Sequence, residues 1–328
     1  MNISNKVILV IINRRGTRLR HDPKLAKKTR SVLPGTVIVL ETESEEETLR
    51  KLGEISEGLR VDIVIVIGGD GTFRTVLNWV LSLPFSDRPK IIPVGGGHIC
   101  YMAAFAGFWP RDPLRGLVYV LNQECRMKSI AWNPVRVSVN GEKLCYCAVF
   151  ATGFLYDFLK WMEDDEKKHV LEVAWMILKS ALIAFFFSPE KVGPLGQTHG
   201  LIKLNTWVVP SFKHTAVLAS TVPRLSLGTR PFLGQRSKGQ IWCVAFWGSL
   251  RALTTLAPFV WLGMVPFWVR SSISNQPRDR VHITTSDPRY MIDGCCKVVV
   301  HSGPEVDHSV NKFELVEGPE VKLLTRNR

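Results

Sequence analysis

The chain has 328 residues, of which 46% are hydrophobic and 22% are charged. This length suits about two folded domains, and the composition excludes a largely disordered chain. Because 42 basic residues stand against 29 acidic residues, the net charge is +13 and we expect an anionic partner.

Strand and helix patterns alternate in the first part of the chain. This order predicts a parallel sheet with helices on both faces, and ligands of such sheets lie at the carboxyl ends of the strands. The predicted strands are 6–12, 36–40, 61–67 and 90–94, and the predicted helices are 21–32, 44–57, 72–83 and 101–106.

A basic stretch follows the first predicted strand. Nucleotide phosphates, anionic lipid head groups and nucleic acid would all attract it, and a solvated basic face is an equally simple interpretation. Aromatic residues are not interleaved with the cations, so no nucleic-acid partner is expected. The cations are Arg14, Arg15, Arg18, Arg20, Lys24, Lys27, Lys28 and Arg30.

The third predicted strand runs into a glycine-rich turn and then a helix. Glycines let backbone N–H groups approach an anion, and the helix directs its positive end to the same place. Asp70 could hold Mg²⁺ or accept the proton of an attacking hydroxyl, and both uses fit phosphoryl transfer. The alternative is a tight turn in which Asp70 caps the helix. The turn reads Gly68-Gly69-Asp70-Gly71-Thr72.

After residue 127 the pattern changes to segments of period two. A hairpin signal at Asn140-Gly141 supports antiparallel pairing. We predict an α/β N-terminal three-layer domain with a parallel sheet at 1–127 and a mainly antiparallel β-sandwich domain at 128–311. The segment 312–328 is a candidate for return to the first domain. The predicted strands are 135–139, 143–150, 201–208, 215–220, 239–246, 280–285, 297–301 and 312–315, with helices inserted at 166–187 and 249–263.

Seven cysteines lie mostly in apolar runs and form no zinc-spaced CxxC pair, which predicts buried thiols in a reducing compartment. The N-terminus lacks a signal-peptide layout, so a cytoplasmic protein is expected. The apolar stretches 173–187 and 241–268 are too short, or too interrupted by proline and charge, to span a bilayer. Four tryptophans nonetheless suit contact with a bilayer interface: Trp242, Trp247, Trp261 and Trp268.

Five segments, taken in order, resemble the diacylglycerol kinase catalytic family and, within it, the sphingosine and long-chain-base lipid kinases. The glycine-acid turn alone also occurs in NAD kinases and phosphofructokinases, whereas the ordered set is far more specific. The segments are Ile11-Ile12-Asn13-Arg14-Arg15-Gly16, the 68–72 turn, Pro93-Val94-Gly95-Gly96-Gly97, Gly153-Phe154-Leu155-Tyr156-Asp157 and Ile292-Asp293-Gly294.

The resemblance implies a lipid kinase that transfers the γ-phosphate of ATP, with Mg²⁺, to the hydroxyl of a diacylglycerol- or sphingoid-like lipid. It implies that Asp70 is the general base, that Asp293 is a second catalytic candidate and that Asp157 recognises the lipid head group. Asp293 could instead be a hairpin acid, and Asp157 a helix cap. The residues implied to hold nucleotide are Asn13, Gly68, Gly69, Gly71, Thr72, Gly95, Gly96 and Gly97.

Three positions depart from the family pattern. His98 or Cys100 replaces an asparagine of the second glycine loop, Lys238 stands where many bacterial members have a metal-binding acid, and Cys295 replaces a glutamate. A lysine cannot bind a cation, so that metal site is expected to be absent, and no metal ligand is assigned. These changes leave open an altered nucleotide or lipid preference, or an inactive lipid- or nucleotide-binding homologue. A further alternative to the lipid kinase is an NAD kinase-like enzyme of small molecules, which shares the glycine-acid turn.

A kinase of lipids must reach a substrate in the bilayer. We therefore expect reversible peripheral binding through Arg14, Arg15, Arg18 and neighbouring lysines, together with exposed aromatics near Trp261.

Overall fold

The computed structural model describes two compact units of the chain. The first combines Met1–Pro134 with Pro319–Arg328, and the second is Val135–Gly318. The residues described are 6–97, 100–108, 112–122, 127–153, 155–156, 160, 198–204, 207–208, 213–214, 216–225, 229–247, 259, 264–265, 270–271, 273–299 and 310–326.

Helices and strands alternate in the first unit, and strands dominate the second. The helices in the described ranges are α1 (Thr17–His21), α2 (Pro23–Ser31), α3 (Glu45–Ser56), α4 (Asp70–Ser82), α5 (Tyr101–Phe105) and α6 (Pro113–Asn122). The strands are β1 (Ile8–Asn13), β2 (Ile38–Thr42), β3 (Ile63–Ile67), β4 (Lys90–Pro93), β5 (Met127–Trp132), β6 (Val135–Val139), β7 (Glu142–Cys147), β8 (Val149–Gly153), β9 (Thr198–Leu204), β10 (Trp207–Val208), β11 (Lys213–His214), β12 (Ala216–Ser220), β13 (Ile241–Phe246), β14 (Ile273–Arg278), β15 (Arg280–Thr285), β16 (Arg289–Ile292), β17 (Cys295–Val298), β18 (Asn311–Glu317) and β19 (Val321–Arg326).

A six-stranded sheet forms the centre of the first unit, in the order β2-β1-β3-β4-β19-β5. Its first four strands pair in parallel, β19 is parallel to β4, and β5 is antiparallel to β19. All five residues of β3 are buried, as expected for a strand covered on both faces. Ile65 packs in one core with Leu117 of α6, while α3 and α4 contact each other and α4 contacts β3. The sheet therefore lies between two helical layers.

Two helices of this unit, α2 and α3, begin at residues whose side chains cap them. The Ser44 hydroxyl accepts the Glu47 N–H at 3.0 Å, and the Glu47 carboxylate accepts the Glu43 N–H at 2.7 Å. This reciprocal arrangement satisfies donors at the start of α3. Asp22 caps α2 by accepting the Leu25 N–H at 3.2 Å, with Pro23 in the first turn.

The second unit contains two antiparallel sheets. One has the order β10-β9-β15-β18-β6-β7, with β11 also paired to β9, and the other has the order β14-β13-β12-β8-β16-β17. The ring centroid of Phe313, on β18, lies 5.5 Å from those of both Phe150, on β8, and Tyr290, on β16. The contact therefore joins the two sheets of the second unit. Because one buried cluster contains residues of both sheets, they form a sandwich. The predicted fold class is confirmed.

The structure differs from the prediction at several elements. The predicted strand 143–150 is two strands, since the chain leaves one sheet after Cys147 and enters the other at Val149. The unit boundaries lie later than predicted, because β5 pairs with β19 in the first sheet and β18 pairs with β15 and β6 in the second unit. The predicted strand 201–208 is the two antiparallel strands β9 and β10. The prediction missed α1, α6, β5, β11, β14, β16 and β19. The helices predicted at 166–187 and 249–263 lie outside the described residues, except for Phe259.

Within the described ranges, no helix is both long enough and apolar enough to cross a membrane. The stretch 173–187 lies outside those ranges. Part of the second apolar stretch, Ile241–Phe246, is a strand of the second unit. Trp242 of this strand stacks on Phe232, and Trp261 lies outside the described residues.

Candidate functional site

The glycine segments lie at one edge of the first sheet. β1 and β3 are parallel with Ile12 opposite Ile67, and β3 and β4 are parallel with Val66 opposite Pro93. The strands therefore end at the same level, and the turns that follow them meet. These turns are the first glycine loop, residues 68–72, the second glycine loop, residues 95–97, and the turn at Gly16.

The first glycine loop is packed against the end of β1. The Asn13 side-chain amide donates a hydrogen bond to the Thr72 hydroxyl at 2.8 Å. A Cβ on Gly68 would lie 2.6 Å from that hydroxyl, so a larger residue does not fit here. Asn13 and Thr72, both predicted to hold nucleotide, thus brace each other at the start of α4.

The second glycine loop approaches the first closely. A Cβ on Gly97 would lie 2.4 Å from the Cα of Gly69, a distance that backbone atoms cannot accommodate. Gly96 accepts the Arg18 N–H at 3.1 Å, and a Cβ on Gly16 would lie 3.0 Å from the same Gly96 oxygen. The turns therefore meet through backbone alone, which suits binding of an anion by N–H groups.

Cys100 supports the second glycine loop through hydrogen bonds to its sulfur. Its φ of 49° is left-handed, and its sulfur accepts the N–H groups of Gly96 at 3.4 Å and Gly97 at 3.1 Å. The thiol is 1% exposed. Cys100 thus supports the loop in which the family pattern has asparagine, while His98 lies outside the described residues.

Asp70 is buried between the starts of two helices. Its carboxylate accepts the Tyr101 N–H and the Met102 N–H, each at 3.2 Å. α4 begins at Asp70 and shows no side-chain cap, so Asp70 does not cap its own helix, as the turn interpretation expected, but the first turn of α5. Two helix N-termini and two amide donors stabilise the ionised carboxylate here.

Asp293 lies in the second unit, in the tight turn between β16 and β17. Its φ is 51° and that of Gly294 is 79°, as in a type I′ hairpin turn. The carboxylate accepts the N–H groups of Ala148 at 2.9 Å and Val149 at 2.8 Å, where the chain passes from one sheet to the other. Asp293 is 2% exposed and so is well placed to fix this crossover.

Two other predicted positions lie at turns of the second unit. β8 ends at Gly153, and Asp157 itself lies outside the described residues. Lys238 is exposed in a turn tied to Glu317 by the Arg236 guanidinium and by the Gly239 N–H at 2.6 Å. Among the described side chains, no group of three His, Cys, Asp or Glu is arranged to hold a metal ion.

The basic stretch surrounds α1 and α2. All eight of its cations, from Arg14 to Arg30, are exposed. Arg14 and Arg30 form ion pairs with Glu41 of β2. Part of the positive charge is therefore balanced within the unit.

The sequence did not indicate two features of this site. One is the support that Cys100 gives to the second glycine loop, and the other is the use of the Tyr101 and Met102 amides by Asp70. The signal available for the first was only a cysteine three residues after the glycine cluster and directly before a predicted helix, and the residue before a helix ordinarily has an extended backbone. The second is a contact across more than thirty residues, as the separation of Asp70 from Tyr101 and Met102 shows.

Comparison with known proteins agrees with this geometry. Residues 7–127 match the family model of the diacylglycerol kinase catalytic domain. No curated protein matches the chain. Among solved structures, a diacylglycerol kinase of Bacillus anthracis strain Sterne is similar with a TM-score of 0.62 and 14% identity. Two proteins of that strain, named provisionally as diacylglycerol kinases, are similar with TM-scores of 0.65 and 0.64 and 15% identity.

Each of these three similarities covers 98% of this chain and 97% of the other, which extends the shared fold over both units. The family match covers both glycine loops, Asn13 and Asp70. Residues 7–127 of the chain are therefore similar to the diacylglycerol kinase catalytic domain, and the likeness of fold extends beyond them.

Proposed function

We propose that the protein is an ATP-dependent lipid kinase that phosphorylates the hydroxyl of a diacylglycerol- or sphingoid-like lipid. The observation that carries this proposal is the side-chain-free contact of the two glycine loops, with a buried carboxylate between the helices that follow them. Phosphoryl transfer requires mainly positioning and charge stabilisation, which such a site can provide. The family match supports the same reaction class.

The glycine loops suit the phosphates of ATP. Because no side chain stands where Gly69 and Gly97 meet, phosphate oxygens could approach the backbone N–H groups at the start of α4. The Gly96 and Gly97 N–H groups already donate to the Cys100 sulfur. Asn13 and Thr72 would border this cradle at the start of α4. The residues proposed to hold nucleotide are Asn13, Gly68, Gly69, Gly71, Thr72, Gly95, Gly96 and Gly97.

Mg²⁺ would neutralise charge on the transferred phosphoryl group. This ion commonly binds through one or two carboxylates together with substrate phosphates, so Asp70 alone fits the requirement on the protein side. No dedicated cage of protein ligands is needed for that arrangement.

Asp70 is proposed to accept the proton of the lipid hydroxyl or to hold the metal. The Tyr101 and Met102 amides each use one acceptor position of the carboxylate. A carboxylate has about four such positions, so it can accept more than these two bonds at once. The two amides would orient the group, and the lipid hydroxyl or the metal would use the remaining lone pairs.

The second unit is proposed to bind the lipid. Asp157 would recognise a polar head group, and Asp293 is carried as a second catalytic candidate. The hydrogen bonds of Asp293 to Ala148 and Val149 support a structural role as well, so the two roles need separate measurements. The exposed basic stretch supports peripheral contact of a cytoplasmic protein with an anionic membrane surface.

One assay tests this function. The purified full chain is incubated with γ-labelled ATP and Mg²⁺ and with vesicles that contain diacylglycerol or sphingosine, and in parallel with soluble NAD. We expect labelled lipid and no labelled dinucleotide. Product from NAD alone would reverse the assignment in favour of a dinucleotide kinase, and no product from any acceptor, with ATP still bound, would favour a binding protein without catalysis.

A further inference from the structure

A cavity lies at the edge of the first sheet opposite the glycine loops. It has a volume of about 250 Å³ and is lined by residues at the amino ends of three strands. These are residues 60–62 before β3, residues 85–88 and 90 around the start of β4, and residues 320–322 at the start of β19. Five residues of β3 separate this edge from the glycine loops, which is roughly 16 Å at the rise of a strand.

Basic side chains converge on this cavity. Arg60, Arg88, Lys90 and Lys322 line it, together with the acids Asp62, Asp87 and Glu320. Burial lowers the pKa of the Lys90 ammonium, and the nearby charges of Lys6 and Lys322 lower it further, against an opposing effect of Asp62. Ammonium groups held close together repel each other, and a bound anion would relieve that repulsion.

The arginines have structural partners in the wall of the cavity. Arg60 donates to the Ser86 carbonyl at 3.0 Å, and Arg88 donates to the Leu83 carbonyl at 3.2 Å. Asp62 accepts the Val7 N–H at 3.0 Å. The two arginine bonds fix the loop before β4.

An aromatic ring completes one side. Phe85 is 66% exposed, and the Arg88 guanidinium lies 5.6 Å from its ring centroid. An exposed ring beside cations suits a ligand that joins an anionic group to an apolar or flat portion. A bare inorganic anion would leave most of the cavity unfilled.

We propose that this cavity, the amino-edge pocket, binds the phosphate group of a phosphate monoester through Lys90 and Lys322, with Phe85 in contact with the remainder of the ligand. A doubly charged phosphate balances two ammonium groups, which a carboxylate does not. The site is separate from the glycine loops and does not depend on the kinase assignment.

Calorimetric titration of the full chain with glycerol 3-phosphate tests the proposal, with inorganic phosphate as the smaller probe. We expect saturable binding that weakens about tenfold in Lys90→Gln and in Lys322→Gln, since each removes a charged hydrogen-bond donor. Lys128→Gln is the matched control, because Lys128 is an exposed lysine of β5 in the same sheet. Its affinity should equal that of the unaltered protein.

A parallel arm identifies the source of the phosphate. Phosphatidylcholine vesicles with and without phosphatidate are sedimented with the same three variants. The basic stretch contributes to vesicle binding in every variant, so the comparison is between variants. Weaker phosphatidate-dependent binding in Lys322→Gln than in Lys128→Gln assigns a lipid head group, and soluble binding with equal vesicle binding in all variants assigns a free metabolite. Lys322 is exposed on β19, so this variant keeps the test valid if Lys90→Gln fails to fold. No soluble binding together with equal vesicle binding in all variants, or equal weakening by Lys128→Gln, overturns the proposal.

Discussion

Asp70 accepts the backbone N–H of Tyr101 at 3.2 Å, although the two residues begin different helices. The bond joins the first glycine loop, from which α4 starts, to the segment that follows the second glycine loop. The carboxylate charge therefore sets the relative position of the two loops as well as the chemistry at their junction.

Asp70→Asn should reduce lipid phosphorylation by about 10² to 10⁴, the usual contribution of a general base. The asparagine amide also places its NH₂ group against one of the two backbone N–H groups, so two donors face each other and one bond is lost. We therefore expect a loss of about 1–3 kcal/mol of unfolding free energy. Steady-state kinetics and urea denaturation measure the two effects, and ATP affinity should change little.

Asp112→Asn is the matched control for this substitution. Asp112 also accepts two backbone N–H groups at a helix start, those of Leu114 and Arg115, but lies outside the glycine loops. Turnover should be unchanged in this control. Unchanged turnover in Asp70→Asn itself would remove Asp70 from the reaction.

Gly97→Ala should abolish ATP binding while the protein still folds. The added methyl group would lie 2.4 Å from the Cα of Gly69, so the two glycine loops must separate. Gly53→Ala is the control, because nothing lies within 4 Å of a Cβ at that helical position, and it should add about 0.5–1 kcal/mol of stability. Nucleotide titration followed by fluorescence or calorimetry compares the variants. Full ATP affinity in Gly97→Ala would place the nucleotide elsewhere.

Asp293 can be tested for its two roles with a pair of substitutions. Asn140 occupies the same left-handed position of the β6–β7 hairpin, with φ of 53°, so Asp293→Asn keeps an acceptor and an allowed backbone. We expect Asp293→Asn to lower the free energy of unfolding by less than about 1 kcal/mol. Asp293→Ala leaves two buried backbone N–H groups without an acceptor and should lower it by about 2–5 kcal/mol. If Asp293→Asn retains both stability and turnover, Asp293 is structural only.

Membrane binding should depend on the basic stretch. Replacing Arg14, Arg15 and Arg18 by Gln should weaken binding to vesicles with 30 mol% phosphatidylserine by about 2–3 kcal/mol, at about 1 kcal/mol for each cation. Co-sedimentation at two salt concentrations measures this, and the control replaces three exposed lysines elsewhere: Lys128, Lys203 and Lys312. Binding that ignores salt and anionic lipid would refute the electrostatic contribution.

Cys243 should resist alkylation in the folded protein. Burial raises the pKa of its thiol to about 12 from 9.0, against a smaller effect of Arg278. The folded state thus favours the protonated thiol, so this stabilisation is complete below pH 9 and is lost as pH rises toward 12. In iodoacetamide labelling read by mass spectrometry, the half-buried Cys145, Cys295 and Cys296 should react first. Equally rapid labelling of Cys243 would contradict its burial.

The first four strands of the first sheet could be predicted, because β1, β3 and β4 have runs of buried residues and glycines follow each of them. The strands β5 and β19 have mixed burial and were missed. The second unit was harder, since alternation continues through Cys147 and Ala148 into Val149 although the chain changes sheet there. What fixes that change is the Asp293 carboxylate, 144 residues from Val149 and 145 from Ala148. Local periodicity carries no information on such a contact.

The candidate site shows the same division. Glycine spacing after parallel strands predicted where the loops meet, and the structure brings Gly16, Gly69 and Gly97 together there. The acceptor role of Asp70 toward α5 could not be predicted, because backbone N–H groups look alike in every residue. The sequence predicted either a catalytic acid or a cap of α4, whereas the observed hydrogen bonds of Asp70 come from N–H groups of α5.

The strand β19 lies between β4 and β5, so the first sheet is complete only when residues 321–326 are in place. During synthesis on a ribosome, β4 would therefore wait without its neighbour until the whole second unit had been made. The segment 7–127 that matches the catalytic family lacks β19 and nearly all of β5, and alone it would leave the edge of β4 open to pairing with other chains. A fragment designed to carry the glycine loops must bring its own copy of this late strand.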